Sequence, residues 1–259
     1  MKYLGRAYLI LMLVFLYTPI VVMMAMGFNE SSLYELPFKF SLRWYAALYD
    51  NTTLLTAGMN SIIIAVITAV VATCLGTMAA VALERRQFRG RSVLQLLLLP
   101  PIAIPWLITG TAMLVFFYWT GIGRGMHSLI IGHVALAIPY VVLVVGTGFK
   151  TIRVDLEEAA MSLGSTPIHA FFAVTLPLLY PSIVGASLFA FAVSLDQFVI
   201  SYFLSTPGYT TLPVQIYTAI RKGFTPEINA ISTLLLLGSM AAILIFARFA
   251  KPGDVGDKR

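Results

Sequence analysis

The chain has 259 residues, of which 59% are hydrophobic and only 11% are charged, and its mean hydropathy is +0.90. These values lie well outside the usage of soluble globular domains and predict an integral membrane protein. The net charge of +6 would suggest nucleic acid as a partner of a soluble protein, but in a membrane protein the distribution of the basic residues matters more than their sum, and no nucleic acid is expected.

Six apolar stretches follow one another along the chain, each close to the roughly 20 residues that cross a hydrocarbon core. They lie at about 8–27, 58–83, 93–119, 128–149, 179–203 and 229–249. The first is longer than the apolar part of a usual signal peptide, so we predict an uncleaved first span. The third contains Pro100, Pro101 and Pro105, which predict either a structural kink or an interrupted helix that lines a cavity. The sequence therefore predicts one all-α polytopic membrane domain over residues 1–259.

The basic residues predict the orientation of these spans. The stretches that would face outward hold five of the 17 Lys and Arg residues: Lys39, Arg43, Arg124, Arg221 and Lys222. The other twelve fall in the stretches that would face inward, including four arginines between residues 85 and 91. By the positive-inside rule we predict that both termini, and the link between the fourth and fifth spans, are cytoplasmic.

That link contains a polar segment, DLEEAAMSLGSTPIHAFFAVTLP, from Asp155 to Pro177. Asp155 and Glu158 have the spacing of a capping box and predict a first helix at about 156–163. Gly164 predicts a left-handed stop for this helix. Ala159 and Ala160 leave little side-chain bulk on the helix, so another surface could approach its backbone closely.

A second short helix is predicted directly after the first. Thr166 provides an N-cap, Pro167 suits the first helical position, and Pro177 is expected to limit the helix. From these residues alone, the segment is either an ordinary amphipathic connector between two spans or a docking surface.

The spacing in this segment resembles the EAA signature of permease subunits in binding-protein-dependent ABC importers. The matching residues are Glu158-Ala159-Ala160, Gly164, Val174 (where the family usually has Ile) and Leu176-Pro177. The resemblance implies the type I importer permease fold, with six transmembrane helices. It also implies that residues 150–177 form a cytoplasmic coupling loop that docks on an ATPase subunit.

Three stretches after the fourth span are similar to the second permease subunit of spermidine/putrescine importers. They are Ser194-Leu195-Asp196, Thr211–Tyr217 and Gly223–Ser232. The resemblance implies a polyamine as solute and a homologous, non-identical permease as partner. Opines, thiamine and phosphonates are alternative solutes, because importers of these compounds share much of the pattern.

Asp196 is the clearest ionisable residue within a predicted span. A carboxylate there costs about 2.5–3.5 kcal/mol on insertion scales, so it should face water or the protein interior. Either it bonds to a neighbouring helix or partner subunit, or it lines the translocation path and attracts a cation. Tyr118 and Trp119 are typical of an aromatic belt at the interface and could also hold a cation through cation–π attraction.

Catalytic and metal-binding roles are not predicted. Cys74 is the only cysteine, and His127, His133 and His169 have no further ligand at metal-binding spacing, so no metal is assigned; His133 is interpreted as a packed, hydrogen-bonded residue. The sequence contains no G-x-x-x-x-G-K-[ST] motif, so a partner must hydrolyse ATP. An ion-coupled secondary transporter is the rival class, but it commonly shows an internal repeat and more buried ionisable residues.

The resemblance completes the expected assembly. It implies two permease subunits in the bilayer, two cytoplasmic ATPases that bind ATP and Mg²⁺, and an external solute-binding protein. The expected location is the bacterial plasma (inner) membrane.

Overall fold

A computed structural model describes residues 2–31, 35–98, 100–153, 155–223 and 226–249, without the side chains of residues 2, 243 and 246–249. Within these residues the chain is helical, and its only β-structure is two isolated bridges, Asn29 with Phe40 and Thr206 with Tyr209. The helices in the first half are α1 (Lys2–Met26), α2 (Arg43–Asp50), α3 (Thr52–Arg85), α4 (Arg91–Leu97), α5 (Pro100–Ala103), α6 (Trp106–Trp119) and α7 (Met126–Phe149). The second half contains α8 (Asp155–Ser162), α9 (Pro167–Ala170), a π-helical turn (Phe171–Thr175), α10 (Leu176–Asp196), α11 (Val199–Leu204), α12 (Leu212–Lys222) and α13 (Glu227–Phe249).

Four helical stretches of the described chain are long and apolar enough to cross a membrane: Tyr3–Met26, Thr52–Arg85, Met126–Phe149 and Pro167–Asp196. A fifth is obtained if Arg91–Ala103 and Trp106–Trp119, which meet at 108°, are taken as one broken span. The bend falls at Ile104 and Pro105, where the proline lacks the N–H that would continue the helix. A shorter apolar helix covers Glu227–Ala242.

The described residues form two compact units. The first takes residues 2–59 and 212–240. Its core joins Trp44 and Leu48 of α2 to the start of α3, to Leu212 of α12, and to Ile231 of α13. The indole Nε1 of Trp44 donates to the backbone oxygen of Asn29 at 2.7 Å, which ties α2 to the chain leaving α1.

The second unit takes residues 60–211 and 241–249, and α7 lies at its centre. Its largest apolar cluster joins α3, α7 and α10 through small and β-branched side chains such as Ala80, Val141 and Ala186. Gly148 permits a close approach of α7 and α10, because a Cβ there would lie only 2.6 Å from the Cβ of Ser182. Contacts between small residues are typical of helices in a membrane, where the hydrophobic effect does not drive the helices together and close packing must do so.

A second cluster in the same unit joins α6, α7 and α11. Leu129 and Leu136 of α7 pack against Ile200 and Leu204 of α11 and Phe117 of α6. Gly110 of α6 and Gly132 of α7 allow α11 to approach closely, because a Cβ at either position would clash with a side chain of α11. The short helix α11 is therefore held between α6 and α7.

The structure corrects two predicted boundaries. The second helix of the loop does not end at Pro177 but continues from Pro167 to Asp196. Immediately before Pro177, the N–H of Leu176 bonds to the oxygen of Phe171, five residues back, and this wider π-turn makes room for the proline ring.

The second correction concerns the predicted span at 179–203, which is not one helix. It breaks between Asp196 and Val199, where the side-chain oxygen of Gln197 accepts from the N–H groups of Val199 and Ile200 and caps α11. In addition, the stretch between the predicted fifth and sixth spans contains the helix α12.

Candidate functional sites

The helix α8 carries the EAA residues, and its end has the predicted geometry. Gly164 has φ +96°, its N–H bonds to the oxygen of Met161, and the N–H of Ser165 bonds to the oxygen of Ala160. This pair of bonds is a Schellman motif, which satisfies the carbonyls at the helix end. Thr166 then caps α9, because its hydroxyl accepts from the N–H of His169 at 3.3 Å, and Pro167 takes the first turn.

The predicted capping box is wrong in its details. The carboxylate of Asp155 binds the guanidinium of Arg153 at 3.1 and 2.5 Å, and the side chain of Glu158 has no hydrogen-bond partner among the described residues. The Arg153 guanidinium holds the pKa of the Asp155 carboxyl below its usual range, and the hydrogen-bonded Asp155 carboxylate in turn raises the pKa of Arg153. The guanidinium of Arg153 thus bonds to both oxygens of the Asp155 carboxylate.

The predicted coupling residues lie on an accessible surface. Glu158, Ala159, Gly164 and Pro177 are exposed, whereas Ala160 and Leu176 are half-buried. Apolar side chains lie beside them in the same loop and also remain exposed, notably Leu163 at 90% and Ile168 at 73%. Large apolar side chains exposed together with an unpaired carboxylate are typical of a surface that another protein covers.

Glu157, which the sequence analysis did not single out, anchors this loop to the membrane helices. Its carboxylate lies 3.2 Å from the guanidinium of Arg85 at the end of α3, and each side chain is only 18% exposed. The hydroxyl of Thr175 in the π-turn donates to the same oxygen, and the Arg85 guanidinium lies 5.4 Å from the ring centre of Phe149 at the end of α7. One carboxylate thus connects α8 to α3 and to the start of α10.

The second candidate site is the break after α10. Asp196 is exposed at the last position of α10, where the helix dipole places negative partial charge. Its carboxylate has no hydrogen bond or ion pair with the described part of the chain. The first alternative for Asp196, a bond to a neighbouring helix of the same chain, therefore does not occur within these residues.

A buried polar cluster lies directly beside the break. His133 of α7 is 1% exposed, and its ring nitrogens lie 2.8 Å from the hydroxyl of Ser194 and 2.9 Å from that of Ser201. The Ser201 hydroxyl donates to the backbone oxygen of Gln197 at 2.7 Å. The expectation of a packed, hydrogen-bonded His133 is confirmed.

The structure does not bring the predicted aromatic residues to the break. Tyr118 and Trp119 are 86% and 83% exposed at the end of α6. Both rings lie outside the protein core.

Residues 72–251 match the family of binding-protein-dependent transport system inner membrane components. This chain belongs to that family. The match covers more than half of the chain, including the loop, α10, the break and α13. The permease has membrane-length helices, as a transport subunit of an ABC importer requires.

Two relatives of the permease are named for putrescine or spermidine/putrescine transport. It is 38% identical to the putrescine transport system permease protein PotI of Escherichia coli strain K12, over 88% of this chain and 84% of that protein. It is 33% identical to the spermidine/putrescine transport system permease protein PotC of Haemophilus influenzae, over 94% and 95% of the two chains.

Solved structures show the same fold at lower identity. A bacterial ABC transporter that imports the acidic polysaccharide alginate matches with a TM-score of 0.70, at 17% identity and 96% coverage of both chains. The MetNI methionine ABC transporter matches with a TM-score of 0.64, at 19% identity, over 76% of this permease and 94% of that chain.

The sequence only partly indicates the roles of Glu157 and Gln197, which were not predicted. Glu157 precedes Glu158 in the same acidic run, and only the helical phase decides which carboxylate turns toward Arg85. The role of Gln197 had one local cue. A glutamine side chain can accept a hydrogen bond from a backbone N–H two residues later, as Gln197 does from Val199.

Proposed function

We propose that this permease forms half of the translocation pathway of an ATP-driven importer of polyamines such as putrescine or spermidine. It would span the bacterial inner membrane six times with both termini in the cytoplasm, α13 supplying the sixth span. The observation that carries the solute class is the exposed, unpaired carboxylate of Asp196 at a break in a membrane helix. A carboxylate and the negative end of a helix together favour a cationic solute.

The names of the relatives support the same solute class, since PotI and PotC are putrescine and spermidine/putrescine permeases. Opine, thiamine and phosphonate remain the alternative solutes. Of these, phosphonate is an anion and is disfavoured by the charge of Asp196. Tyr118 and Trp119 are a weaker proposal for the pathway, because both lie at the end of α6 rather than beside the break.

Energy would enter through the loop between α7 and α10. We propose that Glu158, Ala159, Ala160 and Gly164 dock on the ATPase, with Leu176 and Pro177 joining that surface to α10. Glu158 would accept a charge-assisted hydrogen bond from the ATPase, most favourably from an arginine, whose fork matches a carboxylate. Glu157 is already occupied by Arg85 and Thr175, so Glu158 is the carboxylate of this pair that faces outward.

The permease itself would be non-catalytic. ATP and Mg²⁺ would be bound by two cytoplasmic ATPase subunits, a homologous second permease would complete the pathway as a heterodimer, and an external binding protein would deliver the solute. Closure of the ATPase dimer would move the docked loop as a rigid lever and switch the pathway from one side of the membrane to the other. An ion-coupled secondary transporter would need no such loop.

The coupling role is tested by Glu158→Ala in the complete transporter. We expect the variant to insert normally but to retain less ATPase on purification and to lose uptake by tenfold or more, on the order of a charged hydrogen bond. Glu84→Ala, a half-buried glutamate in the last turn of α3, is the control and should keep both properties. Full uptake and full ATPase association in Glu158→Ala would refute this role.

The solute role is tested by Asp196→Asn. Uptake of labelled putrescine should fall at least tenfold, since a hydrogen bond between the solute and a charged group is worth roughly 1.5–3 kcal/mol, and Asp196→Glu should retain part of it. Asp50→Asn removes another exposed aspartate, at the end of α2, and should have no effect. Unchanged putrescine uptake in Asp196→Asn would remove Asp196 from the pathway without altering the family assignment.

A further inference from the structure

The break between α10 and α11 is spanned by a chain of hydrogen bonds that passes through α7. Ser194 lies near the end of α10, Ser201 lies within α11, and the ring of His133 bonds to both hydroxyls. All three side chains are at most 5% exposed. We call these three residues the His133 bridge.

The protons in the bridge can be assigned from its geometry. Because the Ser201 hydroxyl donates to the oxygen of Gln197, it can only accept from His133, so Nε2 of the ring carries the hydrogen. In a neutral imidazole Nδ1 is then an acceptor, and it takes the hydrogen of the Ser194 hydroxyl. The bonds therefore run in one direction, from Ser194 through His133 and Ser201 to the backbone of Gln197.

This arrangement fixes the break from both sides. The bridge holds the last turn of α10 through Ser194, and it holds the first turn of α11 and the backbone of Gln197 through Ser201. Asp196 is the residue between these attachments. With Ser194 and Gln197 both fixed, the direction in which the Asp196 side chain leaves the helix is restricted.

We propose that His133 is a positioning residue for Asp196, which holds the helix break open so that the Asp196 carboxylate faces the aqueous pathway. Without the bridge, α10 and α11 could rejoin as one helix through residues 197–198, and Asp196 would rotate toward the neighbouring helices. This inference rests on the proposed role of Asp196 in the pathway, but its structural part stands without any solute.

The structural part is tested by thiol labelling in the assembled transporter in membrane vesicles. The chain would carry Cys74→Ser and Asp196→Cys, and the rate of reaction with a small, water-soluble methanethiosulfonate would be measured with and without His133→Phe. The phenylalanine retains a ring of similar size but forms no hydrogen bond. We expect the labelling rate at position 196 to fall at least tenfold, because the variant loses both buried hydrogen bonds of the ring.

Two controls separate positioning from misfolding. A cysteine in place of Tyr118, which is 86% exposed on α6, should react equally fast in both backgrounds. His133→Gln offers one donor and one acceptor to the two serines and should restore most of the rate. Where His133→Phe does not accumulate, Ser194→Ala and Ser201→Ala each remove one of the two bonds of the His133 ring, and each should slow labelling.

The outcomes are distinct. Equal labelling at position 196 with and without the bridge, or no labelling when the bridge is intact, would overturn the positioning role. Slower labelling, together with uptake that falls in His133→Phe and falls no further when Asp196→Asn is added, would support it. Unchanged uptake in Asp196→Asn alone refutes the proposed solute role, whereas the labelling result would still decide whether His133 holds the break.

Discussion

At the scale of single residues, the ion pair of Arg85 with Glu157 ties α8 to the end of α3. Replacing either partner leaves a partly buried charge without its partner, a loss of about 1.5–3 kcal/mol. We expect Arg85→Ala to speed hydrogen exchange of the α8 amides and to lower the fraction of ATP hydrolysis that is coupled to uptake. Glu157→Gln should have the same effect, and the double variant should be little worse than either single one.

The matched control for that prediction is Arg86→Ala, the exposed neighbour of Arg85. In this variant, the hydrogen exchange of the α8 amides and the fraction of ATP hydrolysis coupled to uptake should equal those of the unaltered permease. Equal effects of Arg85→Ala and Arg86→Ala would mean that the net charge of this end of α3 matters and the specific pair does not.

The exposed pair of Arg153 with Asp155 predicts a pH dependence of a different kind. The pKa of Asp155 is lowered in the folded protein, so the pair contributes stability above the carboxyl's unfolded pKa and loses it as the pH falls through the lowered folded value. We expect Arg153→Gln to raise the pKa of Asp155, as measured by carbon NMR of labelled aspartate. Because both groups are exposed, stability at neutral pH should hardly change. An identical titration of Asp155 in the variant would show that the pair does not persist in solution.

At the scale of elements, the contact of α7 with α10 depends on the absence of a side chain at Gly148. A leucine there would meet Ser182 of α10, and overpacking of this kind costs about 1–3 kcal/mol. We expect Gly148→Leu to lower the melting temperature of the purified permease. The control is Gly185→Ala on α10, where the glycine has open space around it, and this variant should not lower the melting temperature. Equal melting temperatures for the two variants would contradict the close approach of α7 and α10.

The turn after α8 depends on a glycine for a different reason. Gly164 has open space around it but φ +96°, a conformation that costs a residue with a Cβ about 1–3 kcal/mol. We expect Gly164→Ala to fray the end of α8, which would be seen as faster hydrogen exchange at Ser165, whose N–H closes the Schellman motif. Unchanged exchange at Ser165 would show that the turn tolerates an alanine.

Local rules predicted some of these elements well. The stop at Gly164 and the cap at Thr166 with Pro167 follow from backbone chemistry that acts over a few residues, and both are present. The continuation of the helix through Pro177 could not be predicted in the same way, because it depends on a π-turn whose Thr175 hydroxyl bonds to a carboxylate 18 residues away. The break at Gln197 was missed because the surrounding residues are apolar enough to extend a helix.

At the scale of the whole molecule, the two candidate sites lie at opposite ends of α10. Its first end follows the π-turn that Glu157 holds to Arg85, and its last residue is Asp196. One helix thus leads from the loop proposed to meet the ATPase to the carboxylate proposed to meet the solute. A rigid movement of α10 would couple the two sites directly, whereas changes elsewhere in the permease would affect them separately.

The most direct test of the proposed function is uptake of labelled putrescine and spermidine by the complete transporter reconstituted in vesicles, with the ATPase, the partner permease and the external binding protein present. We predict uptake that requires both ATP and the binding protein and that falls at least tenfold in Glu158→Ala and in Asp196→Asn. If neither cation entered while another solute stimulated ATP hydrolysis and was taken up, the proposed solute class would be contradicted. If uptake continued without ATP, the proposed coupling of transport to ATP hydrolysis would be contradicted.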